Sequence, residues 1–396
     1  MNPGFNSKKD VVKNIREDDV DYTSNSSNNL LKDKMTKNLY KIAIVTAVIV
    51  VVLFLLSSVV GGNKSYNEIE NIMVSAAKKY FNNNKNTLPR VTGSTVEVSL
   101  QKLINEDYMK DISKYKKGAN CAGKVVVENN DDNYIYVSYL DCGSNYKTTE
   151  FYRKVTDYKS LVSSGAGLYS NNGEYIFRGE NVNNYVNIND GLWRIVKITS
   201  DNQVVLVKQD RVSRESFSWD DRFNSSKNGN VGINDFNVSR LKDYYDLVYQ
   251  DNMEDVKIFT NNIKAHLVNH KYCIGKRSID STSSDNSLEC SSLSEDLKVG
   301  GLTVSDYMMA SLDSGCTTAT SEACQNYNYL VNDTLSWWLI TADNSNTFKA
   351  FYVDTMGSLG VSNCNNTKKI RPVIYLNSRT MYQSGDGTID KPYKIK

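Results

Sequence analysis

Residues 42–60 read IAIVTAVIVVVLFLLSSVV, nineteen residues without a charge or a proline. As a helix rising about 1.5 Å per residue, the run covers roughly 28 Å, close to the hydrocarbon thickness of a bilayer. Its only polar side chains are Thr46, Ser57 and Ser58, so it lacks the polar face that a core helix of this length carries. The apolar stretch of a secretory leader is shorter, lies nearer the N-terminus and ends at small residues. The expectation is a retained, single-pass transmembrane helix over 42–60, with the lipid bilayer as its partner.

The flanks give this helix an orientation. Lys32, Lys34, Lys37 and Lys41 precede it against one acid, Asp33, whereas Lys64, Glu68 and Glu70 follow it. Positive charge stays inside, which places the N-terminus in the cytoplasm and everything after residue 60 outside the cell membrane. The cysteines agree. All seven lie beyond the apolar run, as befits an oxidising compartment. Local spacing pairs Cys121 with Cys142, Cys273 with Cys290 and Cys316 with Cys324, and leaves Cys364 over; connectivity is not fixed by spacing alone. A net charge of +2, with no basic stripe interleaved with aromatics, excludes a nucleic-acid partner.

Residues 1–41 are rich in Asn, Ser, Lys and Asp and show no sustained apolar period, the pattern of a disordered cytoplasmic tail. After residue 60, Ser65 and Glu68 form a capping-box signature, and Ile69, Ile72, Met73, Ala76 and Tyr80 recur at helical spacing. A short helix follows at Leu100, Leu103 and Ile104. Residues 121–142 then read as a β-hairpin with a polar turn at 129–133, its open end clamped if Cys121 and Cys142 pair. This order over 65–154 resembles the globular part of type IV pilin-like proteins. It departs from them in its long tail and in a span that carries no acid, so a stalk domain and a filament or pilus-machinery component both stay open.

Residues 155–167, with Ser163, Ser164, Gly165 and Gly167, are expected to link this domain to a second one over 168–396. Four short strands from Glu174, Asn184, Gly191 and Gln203 imply an antiparallel meander, with Trp193, Ile195 and Val196 packed and Arg194 and Lys197 facing outward. Residues 238–271 look helical, and the C-terminal quarter returns to strands. Six motifs, YIFRGENVNNYV (175–186), LWRIV (192–196), LTVSDY (302–307), WWLIT (337–341), IRPVIYL (370–376) and SGDGTxxxPY (384–393), resemble a large uncharacterised family of bacterial surface domains. Its fold is similar to the C-type-lectin-like, sulfatase-modifying-factor-like group. The fold class expected is therefore α+β throughout: a transmembrane helix, a small pilin-like α+β domain and a C-type-lectin-like α+β domain.

Four places in the chain carry candidate chemistry. His266 and His270 have the i, i+4 spacing that sets two imidazoles on one helix face, but lack the Glu of a zinc-protease helix; ordinary surface or hairpin-end histidines are favoured, and no metal is expected. Cys364 would be a reactive thiol if the sulfatase-modifying resemblance extended to activity. Those enzymes need a pair of site cysteines, and the neighbouring cysteines look committed to small loops. Calcium-dependent sugar-binding triplets with proline are absent; Trp219-Asp220-Asp221 echoes one weakly, and Asp386-Gly387-Thr388 reads as a tight turn, so no cofactor is expected. Trp193, Trp337 and Trp338 lie in strand motifs and read first as core. Because adjacent strand residues point to opposite faces, one of Trp337 and Trp338 is a candidate exposed platform beside Tyr352 or Tyr307. The functional expectation is a non-enzymatic, membrane-tethered binding protein that recognises cell-wall or host glycan, or a surface protein, through residues 168–396.

Overall fold

The computed structural model describes residues 62–130, 133–225, 230–251 and 258–396. The tail at 1–41 and the apolar run at 42–60 lie outside them. Among the described residues, no helix is long and apolar enough to cross a membrane. The chain divides into two compact units. The first comprises residues 1–64 and 114–117; in its described part, Lys64 N donates to Tyr115 O at 2.9 Å and Lys117 N to Gly62 O at 3.1 Å. The second comprises residues 65–113 and 118–396, and it is a mixture of helix and sheet.

The second unit opens with helix α1 (Tyr66–Asn83). Its start is fixed by a reciprocal cap: Glu68 N donates to Ser65 Oγ and Ser65 N to Glu68 Oε2 at 2.7 Å. Ile69, Met73, Ala76, Ala77, Tyr80 and Phe81 form its buried stripe. That stripe packs on an antiparallel sheet of β1 (Thr95–Ser99), β2 (Ala122–Asn130) and β3 (Asn133–Asp141). Helix α2 (Leu100–Asn105), capped by Ser99, buries Leu100 and Leu103 beside it. The long β2–β3 pairing runs from Ala122 opposite Asp141 to Asn130 opposite Asn133, and the Cys121–Cys142 disulfide closes its open end.

Helix α3 (Phe151–Val155), at the end of the stretch expected as the first domain, packs into the large core. Phe151 and Val155 are fully buried in that core, Phe151 meets Tyr393 edge-on at 5.5 Å, and Phe151 N donates to Thr380 O.

The core is organised by a seven-stranded antiparallel sheet. It contains β4 (Gly167–Asn171), β5 (Glu174–Arg178), β6 (Tyr185–Ile188), β7 (Gly191–Ile198) and β8 (Val204–Lys208), completed by Val373–Leu376 and Val299–Gly300. The four expected strands are present as β5 to β8, but not as a simple meander: β7 pairs with β5, β6 and β8, and β5 does not pair with β6. The residues expected to face outward do not. Arg194 is 3% exposed, and Lys197 is paired with Asp306 at 3.1 Å with both side chains largely buried. The sheet is covered on both faces. Tyr185 and Tyr329 lie over Arg194, and the short helix Val304–Ala310, whose N-terminal box joins Thr303 to Asp306, supplies the partner of Lys197.

A second sheet pairs Trp337–Ala342 with Lys349–Val353 and the latter with Leu359–Asn363. Among the described residues of 238–271, the helical expectation holds for Arg240–Gln250 and the single turn Asn261–Lys264; a strand, His270–Cys273, begins before its end. The Cys273–Cys290 and Cys316–Cys324 disulfides close the loops expected of them.

Candidate functional site

The structure buries the aromatic platform that strand alternation suggested. Trp337 and Trp338 do face opposite sides, but all six residues of their strand are buried because both sides are packed. Trp337 meets Tyr307 edge-on at 6.2 Å, and Tyr307, also fully buried, donates its hydroxyl to Gly357 O at 2.7 Å. On the other side Trp338 donates Nε1 to Phe217 O at 2.8 Å and meets Tyr352 edge-on at 6.2 Å. Tyr352 is half-buried, and Lys368 Nζ sits 3.6 Å from its ring centroid. The four candidate residues are therefore assembled as two packing pairs. Neither tryptophan presents an open indole face, because both sides of their strand are packed.

The other candidates also resolve into structure. His266 follows the turn Asn261–Lys264 and His270 opens a strand, so they do not share a helix face. His266 is buried with its Nδ1 3.2 Å from Thr380 Oγ1, and His270 stacks on Tyr375 at 3.7 Å. Burial lowers His266 to about 4. Burial, followed by the charge of Lys197, lowers His270 to about 4 as well. Cys364 is a buried thiol outside the three disulfides. Asp220, in the Trp219-Asp220-Asp221 triplet, accepts from Arg222 Nε and Ile233 N at 2.8 Å and from Arg240 N at 3.2 Å. Asp386 Oδ1 accepts from Thr388 in a tight turn.

A concave site forms elsewhere in this unit. A cleft of about 930 Å³ opens between α1 and β3 on one side and the loops around residues 261–269 on the other. Helix α1 places Asn71 and Lys78 on its wall because they lie opposite the buried Ile69–Met73–Ala76 stripe. Strand β3 contributes Tyr134, Tyr136 and Ser138 on one face. Its other side chains, Ile135 and Val137, pack with Met381 as an apolar floor. Asn261, Asn262, Lys264 and Asn269 complete the facing wall, with Tyr249 at one end.

Two ion pairs hold these walls together. Glu70 on α1 binds Lys396 at the other end of the unit, and Glu128 on β2 binds Arg379. Lys78 stands over the Tyr136 ring at 5.5 Å, and Lys264 pairs with Asp251 at 2.9 Å. Among the described residues, no Asp or Glu lines the cleft; amides, tyrosines and lysines dominate. Such a lining offers paired donors and acceptors from each amide, flat apolar rings and positive charge. The Asn261-Asn262 pair two residues ahead of Lys264 was a local signal for it, but nothing in the chain order ties that pair to α1.

No family model, no curated protein and no solved structure matches this chain.

Proposed function

We propose that the chain is a membrane-tethered extracellular recognition protein, anchored by residues 42–60, that binds a glycan chain in the cleft between α1, β3 and residues 261–269. The observation that carries this reading is the composition of that cleft: large, concave, rich in asparagine and tyrosine, and with no Asp or Glu among its described lining residues. Sugar hydroxyls donate and accept at once, which asparagine amides match; tyrosine rings offer apolar faces for the C–H side of a sugar ring. The lysines favour a glycan bearing acidic groups. Three disulfides in the described residues support an oxidising, extracellular setting. The lectin-like and pilin-like resemblances are consistent with a display role, and binding rather than catalysis is the activity proposed.

The test uses the full-length chain, purified in detergent under oxidising conditions, against purified cell-wall polysaccharide. Saturable binding is expected, weakened about tenfold by Asn262→Asp or Lys78→Glu, each of which removes about one favourable contact from an exposed wall. Absence of saturable binding, or binding that both substitutions leave unchanged, would overturn the assignment to this cleft.

A further inference from the structure

Arg194 on β7 and Arg371, just ahead of the strand Val373–Leu376, are 3% and 1% exposed. Neither has a carboxylate within ion-pair distance among the described residues, although a buried guanidinium is costly without a counter-charge. Arg371 lies over the Trp337 ring at 4.7 Å, gives Nε to Lys208 O at 2.9 Å and Nη1 to Leu330 O at 2.8 Å, and leaves Nη2 with no partner among the described residues. Arg194 is sandwiched between Tyr185, at 3.8 Å from its ring centroid, and Tyr329, at 5.0 Å. Its Nε binds Asn184 Oδ1 and its Nη2 reaches Val182 O at 3.5 Å, which leaves Nη1 without an acceptor among the described residues.

Two other buried polar groups lie by Arg194: the Tyr329 hydroxyl and Gln209 Oε1 have no hydrogen-bond partner among the described residues. Burial and then the charge of Arg194 lower Arg371 to about 10, so the two guanidiniums sit close enough to repel. A cleft of about 460 Å³ opens on this group, with Arg194, Tyr185, Tyr329 and Gln209 in its lining. At the same mouth stand three exposed carboxylates, Glu180, Asp210 and Asp333. The cleft is therefore polarised, cationic within and anionic at the rim. A simple anion would meet the acids on entry and a polyanion would be repelled by them. A molecule with a carboxylate at one end and an ammonium at the other satisfies both poles.

We propose that this cleft binds a small zwitterion of the amino-acid type, its carboxylate against Arg194 and its ammonium toward Asp210 and Asp333. The carboxylate supplies the counter-charge that Arg194 lacks, and an oxygen or amine of the ligand can meet the Tyr329 and Gln209 groups that line the same cleft. The site is separate from the glycan cleft and stands or falls independently of it.

The experiment is calorimetric titration of the full-length chain in detergent with the common amino acids and D-alanine, alongside acetate and methylammonium as carriers of one pole each. At least one amino acid is expected to bind saturably, with acetate weaker by about tenfold or more and methylammonium silent. Arg194→Gln should abolish this binding. Because that substitution touches the core, the rim variant Asp210→Asn/Asp333→Asn provides a second reading on surface residues: it should weaken the amino acid about tenfold while leaving acetate unchanged or tighter. Failure of every amino acid to bind, acetate binding as tightly as the amino acids, or a rim variant without effect would overturn the proposal.

Discussion

Glu70, in the second turn of α1, and Lys396 form an ion pair that joins the first helix of the second unit to its far end. Glu70 is 1% exposed, and the same carboxylate accepts from the Tyr146 hydroxyl at 3.0 Å and from Thr148 Oγ1. Lys396 also reaches Asn67 Oδ1 at 2.7 Å. Removing the acid leaves a largely buried ammonium without its counter-charge, while the two hydroxyls keep Asn67 Oδ1 and Leu140 O as acceptors. Glu70→Ala is expected to cost about 3 kcal/mol, and Lys396→Met less, because the lysine is partly solvated and its stem can still pack. Urea unfolding of the two single variants and the double variant checks this. Additive losses would show that the pair is not coupled.

The tryptophans should behave as core. Trp337→Ala and Trp338→Ala are each expected to destabilise by about 3–5 kcal/mol through the cavity left behind, with an unpaired Phe217 carbonyl added for Trp338. Asn262→Asp and Lys78→Glu, on exposed walls, should leave stability within about 0.5 kcal/mol of the parent. Thermal unfolding of the four variants beside the polysaccharide titration separates loss of fold from loss of ligand. A Trp337 or Trp338 variant that keeps its Tm yet loses binding would return the recognition face to the tryptophans.

The two histidines make stability depend on mildly acidic pH. Both are held neutral by burial at about 4, below the ordinary value of 6.5. A proton therefore binds the unfolded chain first, and stability is complete above about 6.5 and declines as pH falls toward about 4. The loss is roughly 3 kcal/mol for His266, and smaller for His270, which keeps some contact with water. Urea midpoints measured between those two pH values should fall with acidification, and the slope should flatten in His266→Gln. An unchanged slope in that variant would exclude His266 as a source.

The parts of the fold that were legible from the chain are those set by short-range chemistry. The α1 cap rests on Ser65 and Glu68, three residues apart. The β2–β3 hairpin rests on β-branched and aromatic arms around a polar turn, and each of the three disulfides links cysteines that are near neighbours along the chain. The helical reading of 238–271 failed where apolar residues at loose helical spacing met tertiary demand. His270 is drawn into a strand opposite Leu297, a partner that no window around His270 contains.

Periodicity and spacing in the sequence therefore determined the α+β class of the second unit, its first helix, its hairpin, the four strands β5 to β8 and its cysteine pairing, because each depends on residues close together in the chain. Only the tertiary structure decided which sides of those strands meet solvent. Arg194 and Lys197 alternate with apolar neighbours as surface residues would, and Trp337 beside Trp338 implies one exposed ring, yet all four are enclosed because distant segments cover both faces of their sheets. Both clefts arise the same way. Asn71 and Asn262, or Arg194 and Tyr329, are separated by more than a hundred residues and share a wall only once the long-range strand pairings have closed.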